Sequence, residues 1–230
     1  MRVNVRPARL RPALFRQKLW LIEGEAPSLA VMFTGIVTDI GEVREARHGN
    51  GGLALTIATA YDTSAIPLGA SVGCSGVCLT VVAKKPGLFT VEVSAETLAC
   101  STLGEWRKGT RVNLEQAMRL GDEMGGHLVL GHVDGVVRVV ARRTDGDSVR
   151  FSFEAPDELA PFIASKGSVA IDGVSLTVNE AESSRFGVNI IPHTLAHTTF
   201  GDAAPGTRMN LEIDLIARYV GRLLEARRAA

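Results

Sequence analysis

The chain has no excess of charge, few cysteines and no long apolar run, and each absence removes a class of function. Lysine and arginine total 25 against 25 aspartates and glutamates in 230 residues. No global field therefore draws in nucleic acid or an anionic membrane, and specific chemistry must come from local groupings. Cysteine occurs only as Cys74, Cys78 and Cys100. An odd number confined to one half argues against a disulfide framework and fits the reducing cytoplasm. No apolar stretch reaches the roughly 20 residues that a membrane-crossing helix needs. The first twenty residues hold Arg2, Arg6, Arg9, Arg11, Arg16 and Lys18 but no acid, a composition that resembles a targeting presequence. They lack the apolar centre of a secretory signal, and Met32 opens a segment with a counterpart later in the chain. Residues 1–31 are therefore expected to be an extension outside the fold, either a misassigned or dispensable start or a presequence.

What is present is a repeat. GASVGCSGVCLTV, ending at Val81, returns as KGSVAIDGVSLTV, ending at Val178, a step of 97 residues from Gly76 to Gly173. The same step relates VEVSAETLACSTLG to VNIIPHTLAHTTFG and GTRVNLE to GTRMNLE. Three blocks in one order at one spacing imply a tandem domain, because the unit is too long for a solenoid repeat of roughly 20 to 50 residues. Hydrophobic residues make up 46%, enough for a packed core. Glycine at 24 positions and short Val, Leu, Ile and Thr runs between turns predict strands, and closure into small antiparallel barrels would remove their exposed edges. FTGIVTDIGEV (33–43) aligns with VLGHVDGVVRV (129–139), which predicts opening strands at Met32 and near Leu128. The expected division is a first barrel over 32–127, with Gly121–Gly126 as linker, a second over 128–213, and a helix over 214–230. In that helix Leu215, Ile216, Tyr219, Val220, Leu223 and Leu224 fall at helical spacing while Arg218, Arg222 and Glu225 face away. Such a helix can lie on its own barrel or pack with copies of itself.

Positions at which the copies differ point to separate tasks. Cys78 becomes Ser175, Glu96 becomes His193, Gly69 becomes Lys166 and Ala117 becomes Asp214. Cys78 reads either as a small buried hydrophobe or as a nucleophile or proton donor in a pocket. Asp214 fits a helix N-cap as well as a reactive carboxylate. His127 and His132, five apart on an expected strand, point to opposite faces and make a poor metal pair. His132 is a pocket-lining or a surface histidine, His193 and His197 belong to a turn or helix start, and Lys166 beside a glycine suits a surface turn.

MFTGIV (32–37), SGVCLTV, GGHLVLGHVDG (125–135), DGVSLTV and IPHTLAHTT together resemble riboflavin synthase of the alpha-chain type, from Met32 to the C-terminal helix. The resemblance implies two six-stranded Greek-key barrels of the flavin-reductase-like kind and a homotrimer held by the C-terminal helices. Active sites would lie between barrels of neighbouring subunits. It further implies a dismutation in which two molecules of 6,7-dimethyl-8-ribityllumazine exchange a four-carbon unit, giving riboflavin and 5-amino-6-(ribitylamino)uracil, with no metal or organic cofactor. Association with lumazine synthase is a further partner it suggests. Duplication then has a physical purpose: related pockets hold two identical substrates face to face, and such alignment can lower a barrier by about 7 to 11 kcal/mol.

Carried over by motif, ligand-lining positions fall in the first half on Phe33, Gly35, Ile36, Val37, Ser71, Cys78, Leu79 and Thr80, and on Glu92, Val93, Ser94, Ala95, Glu96 and Thr97. In the second half they fall on Gly131, His132, Val133, Lys166, Ser175, Leu176 and Thr177, and on Asn189, Ile190, Ile191, Pro192, His193 and Thr194. Ser175, Asp214, His132 and Cys78 are expected to serve proton transfer and addition, with Phe33 beside the ring and Glu92 and Asn189 binding ribityl hydroxyls. Ser75 stands where the family commonly has asparagine. A rival reading is a non-catalytic lumazine- or flavin-binding protein, although both halves keep the pocket motifs and such a protein needs only one competent pocket.

Overall fold

Short alternating apolar runs make the strands. In β2 (Gly52–Ala58) Leu53, Leu55 and Ile57 are buried and the residues between them only partly covered, the period of two that a sheet with one face on a core requires. The protein is described by a computed structural model over residues 32–49 and 52–228. The N-terminal extension lies outside the described residues.

Twelve strands form two closed antiparallel barrels. The first comprises β1 (Asp39–Gly49), β2, β3 (Ser71–Cys74), β4 (Val77–Lys85), β5 (Leu88–Val93) and β6 (Arg111–Gln116). Around it they run β1-β2-β5-β4-β3-β6, and β6 closes onto β1. The second comprises β7 (Gly135–Asp145), β8 (Ser148–Glu154), β9 (Ser168–Ile171), β10 (Val174–Glu182), β11 (Arg185–Ile190) and β12 (Arg208–Ile213) in the equivalent order. Equivalent register shifts occur between Val43 and Glu45 and between Val139 and Ala141. An extra residue bends and twists a strand, which helps bring each sheet round to closure. Asp39 to Gly135 is a step of 96 and Ser71 to Ser168 one of 97, so the second copy has one more residue in the connection after its first hairpin. Each barrel encloses its own core, around Phe89, Leu103 and Leu114 in the first and Phe151, Phe153 and Phe200 in the second.

The opening strands begin at Asp39 and Gly135, later than the expected Met32 and Leu128. Phe33–Val37 and Val129–Val133 are instead two arms that meet between the barrels, where Phe33 and Val129 form an isolated antiparallel bridge. Gly35 and Gly131 have φ of +76° and +75°, a conformation that takes the chain out of a ladder and that glycine adopts without strain. Each arm hangs from its own barrel and leans on the other. Val37 packs on the core of the second barrel and Val133 on that of the first.

Two asparagines lock the seam. Asn113 Nδ2 donates to Asp172 O at 2.9 Å and its Oδ1 accepts from Thr199 N at 2.8 Å. Asn210 does the same in reverse, to Ser75 O and from Thr102 N, both at 2.8 Å. Amide side chains suit the task because each supplies a donor and an acceptor to backbone groups that would otherwise be buried unpaired.

After the second barrel comes helix α3 (Leu215–Arg228). Asp214 Oδ1 accepts from Ile216 N at 2.8 Å, the capping contact expected of a residue just before a helix. Arg218 does not face away from the fold as its spacing suggested. It turns inward and grips Asp134 with two hydrogen bonds of 2.6 and 2.9 Å, because a carboxylate almost covered by protein favours a guanidinium partner over solvent. Ile216, Tyr219, Val220, Leu223 and Leu224 stay exposed.

Candidate functional site

The strand pair β3–β4 sets Ser71 opposite Thr80 and Gly73 opposite Cys78. Over this surface lies the second arm: the Cys78 N–H donates to Gly131 O at 2.9 Å. A Cβ on Gly131 would sit 2.5 Å from the Cys78 Cβ, so only glycine permits the approach. His132, the next residue, is exposed beside it. Nearby, Thr80, Glu92, Ser94 and Ala95 line a groove of about 700 Å³ that also reaches Arg47. Ser94 caps the short helix α1 (Ala95–Cys100), which carries Glu96 and Thr97.

The second barrel repeats the geometry with other chemistry. Ser175 N–H donates to Gly35 O of the first arm at 2.8 Å, and a Cβ on Gly35 would lie 2.6 Å from the Ser175 Cβ. Ile36 is the exposed residue of that arm, where the other has His132. Thr177, Asn189 and Ile191 are exposed around Ser175 on the same barrel, and α2 (Pro192–His197) carries His193 and Thr194. Lys166 occupies a turn with φ of +68°, equivalent to Gly69 at +85°, and its side chain is exposed.

The arms therefore exchange sites. By sequence Gly35, Ile36 and Val37 go with Cys78, and Gly131, His132 and Val133 with Ser175; the fold reverses both groupings. Several expected lining residues also point inward. Phe33 is 2% exposed, packed among Val129, Ala170, Cys78 and Ala117, so its ring has no free face for a ligand. Leu79 and Leu176 belong to the cores, and Val93 and Ile190 alternate inward from Glu92 and Asn189 as strand pleating dictates.

Residues outside the expected set complete the surfaces. His127 Nδ1 lies 2.7 Å from Ser175 Oγ. Burial holds its imidazole below the ordinary histidine range, and the charge of Asp214 opposes that shift. Cys78 differs: burial pushes its thiol up, with a hydrogen bond to Ser71 opposing, so the thiolate is scarce at neutral pH. The arms are held by two buried glutamates. Glu115 accepts from Thr34 N at 2.6 Å, Thr34 Oγ1 at 2.8 Å and Gly35 N at 3.0 Å. Glu212 accepts from Leu130, Gly131 and His132 N–H at 2.7, 2.8 and 3.0 Å. The recurrence of glutamate in GTRVNLE and GTRMNLE was the available signal for this pair; nothing local distinguished His127.

The lumazine binding domain family matches twice, at residues 34–117 and 130–214. The chain is 53% identical over 199 residues to riboflavin synthase of Brucella abortus, covering 84% of this chain and 98% of that protein. It is 45% identical to riboflavin synthase of Mycobacterium bovis, covering 85% and 99%. Among solved structures it resembles LumP complexed with 6,7-dimethyl-8-(1'-D-ribityl) lumazine, with TM-score 0.72, 22% identity and coverage of 79% of this chain and 98% of that one. With LumP complexed with riboflavin the TM-score is 0.74 at 23% identity, covering 79% and 99%; at these identities the likeness concerns the fold. Two lumazine binding domains on one chain, and relatives matched over nearly their whole length, show that this protein belongs to the riboflavin synthase family.

Proposed function

We propose that this protein converts two molecules of 6,7-dimethyl-8-ribityllumazine into riboflavin and 5-amino-6-(ribitylamino)uracil. The products together contain every atom of the two substrates, so a four-carbon unit moves without an outside oxidant or reductant. The observation that best supports this reading is a pair of sites alike in frame and unlike in chemistry, thiol and imidazole on the first barrel, hydroxyl, imidazole and carboxylate on the second. One substrate bound twice in opposite roles requires such a pair.

In this reading Ser175 is the polar group at the second site. A neutral His127 accepting at Nδ1 polarises its hydroxyl toward addition to an electrophilic ring carbon or toward proton transfer, and Asp214 steadies the imidazolium when a proton arrives. Cys78, largely a thiol, serves the first site as a proton donor or a packing surface. His132 stands where it can exchange protons with solvent. Glu92 and Asn189, exposed at equivalent strand positions, suit ribityl hydroxyls.

The donor and acceptor rings must meet, and the exposed stripe of α3 supports a homotrimer that brings one subunit's first barrel against another's second. Incubation with the lumazine alone tests the function. Riboflavin fluorescence should grow with a matching release of the uracil product, whereas tight binding without product would identify a non-catalytic lumazine-binding protein instead.

A further inference from the structure

We infer that Glu115 and Glu212 are positioning residues, each setting the site of the barrel to which it does not belong. This rests on reading the two surfaces as ligand sites. Glu115 stands on β6 of the first barrel and holds Thr34 and Gly35, whose arm then meets the second barrel where Gly35 O accepts from Ser175 N at 2.8 Å, and the connecting segment beside it where Thr34 O accepts from His127 N at 3.1 Å. Glu212 stands on β12 of the second barrel and holds Leu130, Gly131 and His132, whose arm meets the first at Cys78.

The donor sets explain why the residue must be a carboxylate. At Glu212 three successive backbone N–H groups converge on two oxygens, and at Glu115 two N–H groups and a hydroxyl do so. An acceptor-only group satisfies all of them, whereas an amide would set its own N–H₂ against a donor. Both residues are nearly covered, at 9% and 3% exposure, so a lost bond is not replaced by bulk water. Burial pushes both carboxyls up and the N–H groups oppose the shift. Beyond its glutamate, each arm reaches the opposite barrel through a glycine whose carbonyl accepts from the site residue's N–H and which has no room for a Cβ there. Phe33 of the first arm also packs its side chain on Cys78 and Ala117 of its own barrel, but the backbone hydrogen bond each arm makes to a site residue crosses to the opposite barrel, at Ser175 N and at Cys78 N, so a loosened arm is read at that amide.

Site-resolved amide hydrogen exchange on Glu115→Gln and Glu212→Gln tests this in the intact protein. Loss of a charge-assisted hydrogen bond should speed exchange of the dependent amide by about tenfold. The expected pattern is crossed: Glu115→Gln accelerates Ser175 N–H and leaves Cys78 N–H at the parental rate, and Glu212→Gln does the opposite. A merely structural role would loosen the glutamate's own barrel instead. Faster exchange in β3 and β4 of Glu115→Gln, equal effects of both substitutions on both amides, or no change in either would overturn the inference. Should a Gln variant fail to fold, the Asp variant, which keeps the charge and shortens its reach by a methylene, is read by the same crossed criterion. The exchange pattern needs no turnover, so failure of the proposed reaction and failure of the positioning role are separately visible.

Discussion

Replacing Asp172 by asparagine removes a titrating carboxyl from the seam without removing the hydrogen bond it makes. Asp172 lies in the β9–β10 turn at φ +46° and its Oδ1 accepts from Asn210 N at 2.7 Å. The residue as a whole is half-buried, its carboxyl being the enclosed part. Burial pushes that carboxyl from 3.8 up to about 7, and the Asn210 N–H opposes the shift. The fold thus holds a proton that the unfolded chain gives up. This contribution to stability is fully present below about pH 4 and is lost as pH rises to about 7. At 1.36 kcal/mol per pK unit the whole shift corresponds to roughly 4 kcal/mol, and partial solvent screening reduces the expected loss to about 2 kcal/mol. The asparagine of Asp172→Asn would keep an acceptor for Asn210, tolerate the left-handed backbone and carry no charge. Urea unfolding of parent and variant at one protein concentration should give similar midpoints near pH 4.5. At pH 8 the variant midpoint should lie higher by about 1 M, given a slope of roughly 2 kcal/mol per M. Taking the difference between the two proteins cancels other titrating groups, including Glu115 and Glu212. A variant no more stable than the parent at pH 8, or a difference that does not change with pH, would mean that the folded chain holds no such proton on Asp172.

Removing the Ser175 hydroxyl with Ser175→Ala should lower kcat by about 10²-fold or more while leaving lumazine binding within a few-fold, read by stopped-flow and equilibrium titration. His127 is held below the ordinary histidine range, so its protonation on acidification should produce an acid limb of kcat below about pH 6.5; that limb should disappear from the residual rate of His127→Asn. Gly131→Ala puts a Cβ against Cys78 and a side chain at φ +75°, and thermal denaturation should show a loss of about 1–3 kcal/mol. A chain ending at Asp214 should sediment as a smaller species than the full chain, and an unchanged oligomeric state would remove α3 from the assembly.

Local pattern carries much of this protein. Alternation in segments such as Leu53–Ile57 encodes a strand with one wet face, the recurrence of DGVSLTV and SGVCLTV encodes two like barrels, and the spacing of Ile216, Tyr219 and Leu223 encodes an apolar helical stripe. Such signals are legible because period and burial are decided within a few residues of chain. The reversal of the arms was not legible. Gly35 meets Ser175 and Gly131 meets Cys78 through backbone N–H and C=O groups, which every residue but proline has, so no side chain announces the pairing. Arg218 turned inward for the same kind of reason: its partner Asp134 is distant in sequence, and only the closed second barrel brings the two together. His127 likewise became part of the site when the arm and β10 placed its ring beside Ser175. Two barrels, an apolar helix and a thiol matched to a hydroxyl are thus written in local stretches of the chain. Tertiary structure alone decided which arm serves which barrel, because that choice rests on long-range hydrogen bonds to buried carboxylates rather than on any local preference of the chain.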